Sequence, residues 1–144
     1  MPRPPKPDDL YRLRIPIGVR LSPDGRSVVT AVKTVAPGFD GYRHALWLVP
    51  TDGGDARQLT IGAKNDWHAR FSPDGRTIAF LSDRRTVVEE EPERSSIKQR
   101  EDTLQVYLLP VDGGEARRLT DLPRGVSDVE WSPDGSRLVV ASAS

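Results

Sequence analysis

Three short stretches of the chain are almost wholly apolar or β-branched: RSVVTAV at 26–32, RTIAFLS at 76–82 and RLVVASA at 137–143. None contains proline and each is shorter than an ordinary helix, so the pattern predicts strands covered on both faces. LWLVP at 46–50 and VYLLP at 106–110 read the same way. DARQLT at 55–60 and EARRLT at 115–120 instead mix charge with a single apolar anchor, Leu59 or Leu119. That is the pattern of an edge strand facing water.

What separates these runs is repeated too. SPDG occurs at 22–25, 72–75 and 132–135. Proline fixes the φ wanted at the second position of a type I turn, aspartate suits the third, and glycine takes the left-handed conformation that follows. LWLVPTDGGDARQLT (46–60) returns as VYLLPVDGGEARRLT (106–120) with nine of fifteen positions identical, and its Asp-Gly pair predicts a second hairpin. Each repeat unit thus reads as a four-stranded antiparallel meander, in the second unit at 67–71, 76–82, 104–109 and 115–120.

Four-stranded sheets in series, at a period close to that of blade repeats, predict an all-β partial β-propeller rather than a β-sandwich, which would not need matching turns in every unit. The expected organisation is a lead-in at 1–16, a first blade at 17–60, a second at 61–120 and the first half of a third at 121–144, about two and a half blades. The SPDG interval grows from 50 to 60 because one connection lengthens, and the resulting charged loop at 83–103 is expected to be solvated. In the lead-in, Asp8 and Asp9 predict the start of a short helix with Leu10 and Leu13 on one face.

Composition narrows the chemistry. Twenty-one basic residues balance 21 acidic ones in 144, which leaves no net field to draw in nucleic acid or an anionic membrane, so neither is expected as a partner. There is no cysteine, hence no disulfide, thiolate metal site or thiol nucleophile. His44 and His68 stand apart from any metal-binding spacing, and no metal or cofactor is expected. No GxSxG elbow occurs, Ser142 and Ser144 have no flanking glycine, and no catalytic, cofactor-binding or metal residue is assigned. Trp47, Trp67 and Trp131 are expected to fill space between sheets. Arg20, Arg43 and Arg70 lie near strand ends, where a guanidinium can hold a peptide carboxylate, but in a chain so rich in arginine surface solvation is the expected role and no site is named.

DDLYRLRIPIGVRLSPDGRSVV, SPDGRTIAFLSDR and VYLLPVDGGEARRLTDLPRGVSDVEWSPDG together resemble the N-terminal propeller of the prolyl oligopeptidase family of serine peptidases, in particular its acylaminoacyl-peptidase branch. The resemblance spans nearly the whole chain. It implies a noncatalytic module that gates and docks on an α/β-hydrolase domain cleaving short peptides. MPRPPKPDDL at the start has no apolar stretch behind it and no run is long enough for a spanning helix, so a cytoplasmic protein is expected. SPDG followed by DGG is also similar to the propeller of the periplasmic Tol translocation protein, which implies the alternative of a scaffold for protein partners. Because two and a half blades fall short of the 4 to 8 that close a ring, self-association through the end blades is expected.

Overall fold

The computed structural model describes residues 2–36, 38, 41–62, 65–84 and 103–143. Its first sheet holds β1 (Ile15–Leu21), β2 (Ser27–Val35), β3 (Tyr42–Pro50) and β4 (Arg57–Gln58), and its second β5 (Asp66–Phe71), β6 (Thr77–Ser82), β7 (Gln105–Pro110) and β8 (Arg117–Arg118). β9 (Asp128–Trp131) and β10 (Leu138–Ala141) pair as a third. All ladders are antiparallel between strands consecutive in sequence. The architecture is therefore the all-β meander of partial propeller blades that the repeats predict. Most of the loop at 83–103 lies outside the described residues.

The three SPDG turns are built alike, and each closes on itself. In the first, Gly25 N–H donates to Ser22 O at 2.9 Å, while the Ser22 hydroxyl donates to Asp24 at 2.6 Å. Asp24 accepts from Arg26 N–H at 3.0 Å, and the Ser22 oxygen accepts from Ser27 N–H at 3.0 Å. Gly25, Gly75 and Gly135 take φ of 72°, 73° and 74°, the left-handed region that the turn demands. Consecutive turns also touch. A Cβ at Gly75 would stand 3.5 Å from Pro23 Cδ, and one at Gly135 would stand 3.5 Å from Pro73 Cδ.

The second turn departs from expectation. Residues 51–56 separate β3 from β4, and 111–116 separate β7 from β8, so Asp-Gly sits in a wider loop than a two-residue hairpin. There the Asp52 carboxylate accepts from Gly54 N–H at 2.8 Å. β4 and β8 are only two residues long, and past each of them one main-chain bond persists, Leu59 N–H to Leu46 O at 2.7 Å and Leu119 N–H to Val106 O at 2.8 Å, beside a threonine hydroxyl that accepts the facing N–H. Thr60 Oγ1 accepts from Leu46 N–H at 3.0 Å, and Thr120 Oγ1 from Val106 N–H at 2.9 Å.

Packing follows from the alternation of faces. Val29, Ala31 and Leu46 of the first sheet meet Ile78, Phe80, Tyr107 and Leu109 of the second. Ala79, Leu81, Val106 and Leu108, on the reverse face, meet Val126 and Val129. Only the second sheet is covered on both faces, whereas the expectation was two-sided burial for all three apolar runs. Val139 of β10 is 68% exposed, and Val19 and Leu21 of β1 are 62% and 60% exposed. These faces lack a neighbouring sheet among the described residues.

The predicted lead-in helix forms as a 3-10 turn, Pro7–Arg12, with Asp9 accepting from Lys6 N–H at 2.7 Å and paired with Arg3. Leu10 and Leu13 stay nearly half exposed, so the segment does not bury its apolar pair.

Candidate binding cleft on the innermost strands

The first strand of each sheet lies against the first strand of the next, β1 on β5 and β5 on β9. Aligned on SPDG, the three strands place Gly18, His68 and Asp128 in one row and Arg20, Arg70 and Glu130 in another. At the first row the strands bulge. The β1–β2 register slips between Ile17 and Val19, with Gly18 at φ 66°, and the β5–β6 register slips between Trp67 and Arg70, with His68 at φ 56°. A left-handed histidine is costly backbone for a residue with a Cβ, of the order of 1–2 kcal/mol. It is held there by its contacts.

His68 Nε2 lies 2.5 Å from Asp128 Oδ1. So close an approach of a ring nitrogen to a carboxylate needs a proton between them, so Nε2–H donates to Asp128. Arg70 Nη2 lies 3.0 Å from the same Nε2, which then has no lone pair to offer it. The remaining bonds of Arg70 run from Nε to Glu130 at 3.1 Å and from Nη1 to the Ala69 carbonyl at 3.0 Å. The His68 contact first, and then Val129 N–H, hold the Asp128 carboxyl below its ordinary range.

Between β1 and β5 opens a cleft of about 500 Å3. Arg20, His68 and Arg70 line it together with apolar Ile17, Val29 and Trp67, and no aspartate or glutamate is among its lining residues. Arg20 and Arg70, two of the three arginines marked in the sequence, thus come together. Arg43 does not: it pairs with Thr34 near the start of β3. His44 is buried, with Nδ1 2.7 Å from Asn65 Oδ1 and its ring centroid 5.0 Å from that of Trp67.

Trp67 packs against both core clusters and Trp131 against the second, as the sequence predicts. Trp47 differs. It belongs to neither cluster, and the Arg14 guanidinium lies 5.7 Å from its ring centre. Ser142 ties down the strand end by donating to Gly125 O at 2.6 Å, and Ser144 lies outside the described residues. Among the described residues no group of three His, Cys, Asp or Glu side chains is arranged to hold a metal ion. The bulged rows were missed in the sequence, although the SPDG spacing alone would have aligned 18 with 68 and 128.

Serial four-stranded antiparallel meanders, packed face to face with their first strands together, define the blades of a β-propeller. Comparison with known proteins extends this. No family model matches the chain. It is 35% identical over 133 residues to the uncharacterized peptidase YuxL of Bacillus subtilis, which covers 92% of this chain and 18% of that protein. The chain therefore spans about a fifth of the length of this relative. Its fold matches the acylaminoacyl peptidase of Pyrococcus horikoshii with a TM-score of 0.65 at 16% identity, over 92% of this chain and 18% of the other. It also matches TolB of Acinetobacter baumannii with a TM-score of 0.56 at 20% identity, over 88% and 26%. The chain is a partial β-propeller related to the peptidases.

Proposed function

We propose that the chain is the propeller part of a longer serine peptidase of the prolyl oligopeptidase family, in which it gates access to an α/β-hydrolase domain that cleaves short peptides. The observation that carries this is the 35% identity to a peptidase along 92% of the chain. On this reading the chain is noncatalytic, and the nucleophile, acid and base come from the hydrolase domain on which the blades dock. The protein works in the cytoplasm. Among the described residues, no helix is long and apolar enough to cross a membrane.

The test uses the longer protein beside the chain alone. A fluorophosphonate probe should label the longer protein and leave this chain unlabelled, and removal of the blades should admit larger peptides to the catalytic site. Stoichiometric labelling of the chain alone would overturn the reading.

A second reading, a stand-alone scaffold that binds protein partners, draws on the fold shared with TolB. A longer protein that neither reacts with the probe nor cleaves acylated amino-acid anilides would favour it.

The exposed faces bear on partners under either reading. Leu21 and Val28 of the first sheet match Phe71 and Ile78 of the second by repeat position, and the first sheet covers that face of the second. The face of Leu21 and Val28 is accordingly shaped for another blade. In the isolated chain it is a surface for self-association, and sedimentation at micromolar concentration should show species larger than the monomer.

A further inference from the structure

We propose that the cleft between β1 and β5 binds the terminal carboxylate of a short peptide through Arg20 and Arg70. Taking peptides as the source of that carboxylate rests on the peptidase reading above.

The two rows across the innermost strands carry the argument. Between the second and third sheets each basic side chain meets a carboxylate, His68 with Asp128 and Arg70 with Glu130. Between the first and second sheets the same rows align Gly18 with His68 and Arg20 with Arg70, and all four residues line one cleft. Two guanidinium groups thus hold successive places with no carboxylate supplied from β1. Like charges at neighbouring positions repel, and the arrangement is relieved by an anion from outside the chain.

Donors are available for one. The Arg20 side chain makes no hydrogen bond or ion pair among the described residues, and the one hydrogen-bond contact of Arg70 Nη2 among them is with the His68 nitrogen whose proton goes to Asp128. Guanidinium groups suit the planar, two-oxygen geometry of a carboxylate.

Space and polarity select an organic ligand. A Cβ at Gly18 would meet nothing within 4 Å, so the bulge opposite His68 is open. Ile17, Val29 and Trp67 give the cleft an apolar wall beside its three basic side chains. A hydrated inorganic anion gains nothing from that wall, whereas the side chain next to a peptide's C-terminus is desolvated against it. The volume of about 500 Å3 is in the range of small-ligand sites and suits two or three residues.

Calorimetric titration of the full chain with an N-acetylated apolar tripeptide acid, and with the matching C-terminal amide, tests this. The acid should bind at least tenfold more tightly than the amide. Arg20→Gln should erase that difference, with folding checked by circular dichroism, and Arg43→Gln should leave it intact. Equal binding of acid and amide, no binding of either, or displacement by inorganic phosphate at the peptide's own affinity would overturn the proposal. So would an amide carrying an internal aspartate that binds as well as the acid, since the site would then not read a terminus. Because binding is measured without hydrolysis, an inert longer protein would sink the peptidase reading and leave this result standing.

Discussion

The indole of Trp131 donates from Nε1 to the main-chain carbonyl of Arg70 at 3.1 Å, a bond that crosses from the third sheet to the second. It fixes the third sheet's inner strand at the height where Arg70 meets Glu130. Trp131→Phe keeps most of the ring and deletes the donor. A neutral hydrogen bond of this kind contributes about 1 kcal/mol, so the urea midpoint should fall by a corresponding amount, with more lost in Trp131→Ala as packing goes as well.

Two glycines separate backbone strain from collision. Gly25 has φ 72° and open space around a would-be Cβ, so Gly25→Ala should cost only the left-handed penalty of roughly 1–2 kcal/mol. At Gly125, with the same φ of 72°, the Cβ would lie 2.8 Å from Leu104 O, and Gly125→Ala should destabilise distinctly more. Equal losses in chemical denaturation would mean that the Leu104 backbone yields freely.

Acid should loosen the turns. The Ser132 hydroxyl first, then Ser136 through its N–H and hydroxyl, lower Asp134 from 3.8 to about 2. Asp24 and Asp74 are lowered chiefly by Ser22 and Ser72, and Asp128 chiefly by His68. A carboxyl depressed in the fold stabilises it above the unfolded value, and that contribution is lost as pH falls through the folded one. The melting temperature should therefore drop between pH 4 and pH 2, and Asp134→Asn should flatten the drop.

Buried Asp66 depends on its donors. Ser82 Oγ donates to it at 2.6 Å and Arg84 Nη2 lies 2.9 Å away, with the guanidinium over the rings of Phe80 and Tyr107. Ser82→Ala leaves the carboxylate short of a donor where water has little access, a loss of roughly 1–3 kcal/mol. The unfolding free energy from urea melts would show it, and no change would mean that Arg84 alone satisfies the carboxylate.

How far the sequence discloses this molecule depends on the range of the interactions involved. The SPDG turns were legible because every bond that closes them lies within six residues, Ser22 to Ser27. β6 was legible because five consecutive buried residues, Ile78 to Ser82, leave a continuous apolar signature. Asp52-Gly53-Gly54 misled: the dipeptide suits positive φ, but the Asp52 carboxylate bonds Gly54 within a longer loop. The His68–Asp128 contact spans 60 residues, and no local propensity encodes it. Histidine at φ 56° breaks the alternation from which strands are read, so the row to which it belongs emerges only when the repeats are superposed.

The touching SPDG turns give the array a direction. Pro23 reaches toward Gly75 and Pro73 toward Gly135, always from the earlier unit to the later one. Every unit thus has a tongue on one side and a groove on the other, and two units cannot be joined tongue to tongue. Such joints do not depend on where the backbone is cut. A circular permutant opened in the 51–56 loop, with its old ends bridged, would keep both joints and so the order of its sheets.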